Sequence, residues 1–127
     1  MKRNRLFVLV ICFFIIISCS KNSSSSSGSS VQYQVTATNS SAQMIIAYNN
    51  SLGQLISGNY KSGWTSSFTP AQKPFTASLQ ASIYPINGID STTVTLKILV
   101  NGAVVQSVTQ PISVTSIALA QIQYTLQ

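Results

Sequence analysis

Thr92-Thr93-Val94-Thr95-Leu96-Lys97-Ile98-Leu99-Val100, Asn101-Gly102 and Ala103-Val104-Val105-Gln106-Ser107-Val108-Thr109 form one continuous stretch, and its reading decides the fold. Val94, Leu96, Ile98 and Val100 recur with period two, the spacing of side chains that share one face of a β-strand. Asn101-Gly102 suits a type I′ turn, in which both central residues take φ > 0. The stretch predicts two strands, Thr92–Val100 and Ala103–Thr109, joined as a hairpin.

The same pattern extends in both directions. Upstream, Val31–Thr38 alternates and places Val31, Tyr33, Val35 and Ala37 on a core face. Asn39-Ser40-Ser41 turns the chain, and Gln43–Tyr48 reads as the second strand. Asn49-Asn50-Ser51-Leu52-Gly53 is a hairpin loop leading into Gln54–Ser57, and Gly58–Gly63 reads as a loop. Trp64, Ser66 and Phe68 share one face of a short strand. Thr69–Phe75 contains Pro70 and Pro74, so it crosses between sheets rather than pairing within one. In Thr76–Tyr84, Ala77, Leu79, Ala81 and Ile83 go inward, while Ser78, Gln80, Ser82 and Tyr84 face out. Downstream, Gln110-Pro111 interrupts pairing before a closing strand, Ile117–Leu126, in which Ala118, Ala120, Ile122, Tyr124 and Leu126 line up. Turn residues every eight to twelve positions, with no helical period in this region, predict an all-β fold. The expectation is a small immunoglobulin-like antiparallel β-sandwich of about seven or eight strands across 31–127.

The N-terminus is of another kind. Lys2, Arg3 and Arg5 precede Leu6–Ile17, twelve apolar residues. That is short of the roughly 17–25 residues that span a bilayer, and it fits a secretory h-region of about 7–15. Ile16-Ile17-Ser18-Cys19 looks like the lipobox of a bacterial lipoprotein, with an aliphatic residue at −3 and small Ser18 at the cleavage position. Residues 1–18 are read as signal peptide and Cys19 as the acylated residue, since a thiol, as thiolate, is the nucleophile that takes up diacylglycerol. One acyl chain anchors only marginally at about 0.8 kcal/mol per CH₂, whereas two or three give lasting attachment. Residues 19–30, with Ser23–Ser27, have the composition of a flexible tether of roughly 18 Å reach. Ser20 after Cys19 favours outer-membrane sorting, so the expected address is the cell envelope, facing the periplasm or the exterior.

Composition restricts the chemistry. Only 6% of residues are charged, and the sequence has no His and a single acidic residue, Asp90. The formal charge of +6 is inflated by the signal; without Lys2, Arg3 and Arg5, four scattered lysines (Lys21, Lys61, Lys73, Lys97) face Asp90, a charge of +3. No phosphate-tracking stripe follows from that, so nucleic acid is not an expected partner. Acid–base pairs, Ser-His-Asp triads and paired glycosidase carboxylates cannot be assembled, and zinc or calcium lacks a ligand set. No phosphate loop occurs. A non-enzymatic protein without cofactor or metal is expected. Cys12 leaves with the signal and Cys19 is acylated, so no disulfide is available to the domain.

Binding through apolar, aromatic and uncharged polar groups remains. Trp64, the only Trp, either packs between sheets or stacks on a sugar or lipid. Tyr60 and Tyr84, in or beside loops, are candidates to join it, although tyrosines also cap core edges with a wet hydroxyl. Lys61 and Lys73 are candidates for anionic headgroups or plain solubilising charge. Asp90 reads as a turn former.

Val31-x-Tyr33-x-Val35-Thr36, Trp64-Thr65, Ser78-Leu79-Gln80-Ala81 and Thr93–Val105 resemble the MmpS-type small envelope proteins. The resemblance implies an immunoglobulin-like extracytoplasmic domain and partnership with exporters. Two family features differ here: a lipobox stands in place of a spanning helix, and the family tends to carry a Cys in the strand where Leu96 sits, paired to one in the last strand, whereas Ile117–Leu126 has none. The function expected is a membrane-anchored module that binds an envelope protein or serves a transporter. A glycan- or lipid-binding module using Trp64, and a structural envelope subunit, are the alternatives. Cys19→Ser is expected to abolish palmitate labelling of the full-length protein and release it from the membrane fraction.

Overall fold

The computed structural model describes residues 28–84, 89–115 and 119–127. These form eight strands: β1 Val31–Ala37, β2 Gln43–Asn49, β3 Leu55–Lys61, β4 Trp64–Phe68, β5 Phe75–Tyr84, β6 Ser91–Val100, β7 Ala103–Ser113 and β8 Ala120–Leu126. They make two four-stranded antiparallel sheets, β4-β1-β6-β7 and β3-β2-β5-β8, packed face to face as a β-sandwich. The sandwich is immunoglobulin-like in architecture; its connectivity differs from the seven-stranded ABED/CFG order of constant-type immunoglobulin domains.

Alternation in sequence becomes burial in space. Val31, Tyr33 and Val35 of β1, Val94, Leu96 and Ile98 of β6, and Ala77, Leu79 and Ala81 of β5 are buried in one core with Met44 and Ile46 of β2. Ala120, Ile122 and Leu126 of β8 complete it; Ile117 and Ala118, expected in the same strand, lie outside the described residues. The Asn-Gly hairpin forms as read: Asn101 and Gly102 take φ of 51° and 81°. A register shift between Ile98 and Leu99 leaves Val105 as an extra residue on β7, a β-bulge.

Two strand boundaries differ from the sequence reading. Gly58–Gly63 is not a loop: β3 runs on to Lys61 and pairs Tyr60 with Met44 and Gly58 with Ile46. Only Ser62-Gly63 turns. Gln110-Pro111 does not interrupt pairing either, since β7 continues to Ser113 with Thr93 opposite Pro111. The reason lies in the direction of the backbone groups. Thr93 accepts a bond from Thr38 N and donates its own N–H to Thr38 Oγ1, so its peptide groups point at β1. Its partner Pro111 then points away from β6, and the missing N–H falls on the free edge, where proline is tolerated. Thr69–Phe75 does cross between the sheets, from β4 in one to β5 in the other.

Leu96→Ala is expected to cost about 2–5 kcal/mol in equilibrium urea unfolding, because Leu96 is fully buried in the centre of this core. Thr95→Ala, on the outer face where Thr95 Oγ1 meets Thr109 Oγ1 at 2.8 Å, should cost about 1 kcal/mol or less.

Candidate functional site

Six aromatic rings run in one chain between the sheets. Tyr60 of β3 lies 5.1 Å from Trp64 of β4, and Trp64 4.9 Å from Tyr48 of β2. Tyr48 lies 5.7 Å from Tyr33 of β1, Tyr33 5.5 Å from Phe68 of β4, and Phe68 5.7 Å from Phe75 of β5. The interplanar angles, from 42° to 74°, suit the edge-on and tilted contacts that aromatic quadrupoles favour. The chain closes the side of the sandwich where edge strands β3 and β4 part from one another.

Each ring is aimed inward by register. Trp64 pairs with Val35 and Tyr60 with Met44, both buried, so the two rings share the inner faces of their sheets. Trp64 and Tyr60 are half-buried and pack against the core. Tyr84 is on the other face: it follows inward-facing Ile83 and pairs with Gln43 on the outer surface of β3-β2-β5-β8. The structure brings Trp64 and Tyr60 together and leaves Tyr84 apart, so no three-ring platform forms.

Tyr33 is the pivot. Its ring is fully buried and its hydroxyl donates to the Asn49 carbonyl at 3.0 Å. Burial pushes the Tyr33 hydroxyl far above the usual tyrosine range, against a smaller opposing effect of the Ser78 backbone. Burial also raises Tyr48, with the neighbouring Tyr60 adding to it and Ser66 opposing it. Both phenols therefore stay protonated through neutral and mildly alkaline pH and act as hydrogen-bonding packing groups.

Gly58, expected as the start of a loop, instead makes room for the Tyr60 ring. A Cβ there would stand 2.8 Å from Tyr60 Oη and 2.9 Å from Tyr60 Cε2. Tyr60 thus lies back along its own strand over a residue with no side chain, and this seats it against Trp64.

Elsewhere the outer faces of the two sheets are mostly uncharged. Gln32, Gln34, Thr36, Thr93, Thr95 and Thr109 cover one outer face, with Lys97 among them. On the other, Ile45, Ala47, Gln80, Ser82 and Leu119 line a depression of about 110 Å³, small against the roughly 300–1,000 Å³ of ligand pockets. Among the described residues no three His, Cys, Asp or Glu side chains come together as a metal site. Ser18 and Cys19, expected from the sequence to be the cleavage and lipidation residues, lie outside the described residues.

The sheet edges are the other feature. By the alternation that directs Pro111 outward, Ser107 and Thr109 turn their N–H and C=O groups away from β6. Across the sandwich, Thr76 O accepts from Asn49 Nδ2 on the β2 side of β5. The same alternation then turns Gln121, Gln123 and Thr125 of β8 outward. The two edges lie on one side, linked where Gln110 Nε2 donates to Leu119 O at 3.0 Å. Neither β7 nor β8 carries a charged residue.

Comparison with known protein families and with curated proteins finds nothing that matches this chain.

Gly58→Ala is expected to push the Tyr60 ring off Trp64 and leave the strand in place. Trp64 emission should shift to longer wavelength and become more accessible to iodide, with far-UV circular dichroism unchanged.

Proposed function

We propose that this protein is a lipid-anchored, non-enzymatic component of the cell envelope whose β-sandwich binds a partner protein along its β7–β8 side. The observation that carries the reading is the uncharged double edge. Natural sheets guard exposed edges with lysine, inward charge or proline, because unpaired N–H and C=O groups template pairing with another chain. Here Ser107, Thr109, Gln121, Gln123 and Thr125 offer such groups with only Pro111 and the bulge at Val105 to interrupt them. An extended segment of a partner can add to either edge, drawing affinity from main-chain bonds and specificity from the side chains beside them.

The anchor on Cys19 supports the same reading, since a membrane-held module meets envelope partners at high local concentration. The resemblance to exporter-associated envelope proteins makes a transporter one class of partner. Trp64 and Tyr60 favour no competing glycan reading, because both pack inward and Tyr84 stands on another face.

Thr109→Pro provides the test. Its N–H points to the free edge, as that of Pro111 would, so the substitution removes an edge donor and no backbone bond to β6. The outer-face contact of Thr109 Oγ1 with Thr95 Oγ1 is lost with it, at a cost of about 1 kcal/mol or less. Membrane crosslinking followed by mass spectrometry should recover a partner with the wild-type protein and lose most of it with Thr109→Pro. Recovery of the same partner from both, or of this protein alone, refutes the edge-binding reading.

A further inference from the structure

The sandwich has two poles, and the tether leaves from one of them. Ser30 N donates to Asn101 Oδ1 at 2.9 Å, Asn101 N returns a bond to Ser30 O, and Lys73 Nζ donates to Ser29 Oγ at 3.1 Å. Ala71 N, in the same loop as Lys73, donates to Ser51 O at 2.9 Å. The end of the tether, the β6–β7 turn, the β4–β5 loop and the β2–β3 loop are thereby bonded into one surface.

That surface displays apolar side chains. Leu52 is 63%, Leu55 67% and Val104 52% exposed, the three most exposed large hydrophobic residues among those described. Leu52 is held out by a closed network: Asn50 Oδ1 accepts from Leu52 N and Gln54 N, both at 3.0 Å, and Gly53 N donates to Asn50 O. Closed in this way around Asn50, the loop presents Leu52 at its tip. Lys73 is the charged residue of this pole, whereas the opposite pole carries both Lys61 and Asp90, the one acidic residue of the sequence, and its exposed hydrophobic residues are the less exposed Val114 at 37% and Leu119 at 41%.

We infer that this pole docks on the membrane surface, with Leu52, Leu55 and Val104 entering the headgroup region and Lys73 meeting anionic lipid. The inference rests on the lipid-anchor reading. Ser20–Ser27 allow at most about 30 Å between Cys19 and Gly28. The ten-residue strands β5 and β6 make the sandwich itself about 33 Å long. The tether pole therefore stays close to the bilayer, and the sandwich can invert to set its far pole down in its place only with the tether at its limit. Apolar side chains at that depth combine with lysine–anionic lipid attraction, the pairing that seats peripheral proteins in the interface. Docking would stand the sandwich upright and leave the β7–β8 edges free along its flank.

The test uses the full-length acylated protein in vesicles of phosphatidylethanolamine and phosphatidylglycerol containing a fraction of lipid with brominated acyl chains. Leu52→Cys, Val104→Cys and, at the far pole, Asn39→Cys each carry an environment-sensitive bimane probe. The first two probes should shift to shorter wavelength and be quenched by brominated lipid, while the probe at position 39 is not. Equal, water-like emission from all three in protein that is acylated and floats with the vesicles overturns the docking and leaves the anchor standing. Protein that is neither acylated nor floated overturns the anchor, and the docking with it.

Discussion

Tyr33 joins the two sheets, and the rest of the structure depends on that junction. Its strand belongs to one sheet, its hydroxyl donates to Asn49 of the other, and its ring touches Tyr48 and Phe68, one on each side. A chain with no disulfide available to the domain must hold its sheets together by burial alone. A side chain that fills the gap and satisfies its own polar atom in the facing sheet is the efficient way to do so, because an unpartnered buried hydroxyl would cost stability. The aromatic run on either side of Tyr33 extends this junction along the β3–β4 side, where no ladder closes the sandwich.

The two sides of the molecule therefore differ in kind. One is closed by rings, with Trp64 and Tyr60 half-buried against the core. The other ends in two neutral strands whose backbone groups face outward. The poles differ as well: one carries Lys73 and the three most exposed apolar residues among those described, the other Lys61 together with the only acid. A small sandwich with almost no charge thus has four distinguishable aspects, and the proposed functions follow from that asymmetry.

Most of the fold was legible because its determinant is local. Period-two alternation fixes which residues point inward, and Asn101-Gly102 fixes a turn whatever surrounds it. The errors fell where a local breaker was outvoted. Gly58 weakens a strand in isolation, but pairing with Ile46 and the Tyr60 ring lying over it keep β3 intact. Pro111 forbids a ladder bond only if its nitrogen faces a neighbour, and here it faces an edge. Neither circumstance can be read without the partner strand.

By itself, the sequence determined the class of the fold, the inward set of residues and the poverty of catalytic groups, because alternation and composition are properties of the chain. It also carries Ile16-Ile17-Ser18-Cys19, whose lipobox-like pattern is likewise a linear feature. Only the tertiary structure decided which strands lie side by side, that Trp64 and Tyr60 meet while Tyr84 turns to the opposite face, and that the two most exposed leucines, Leu52 and Leu55, gather at one pole. Those are outcomes of strand order and register, which arise from contacts between residues far apart in the chain and leave no mark on any one segment.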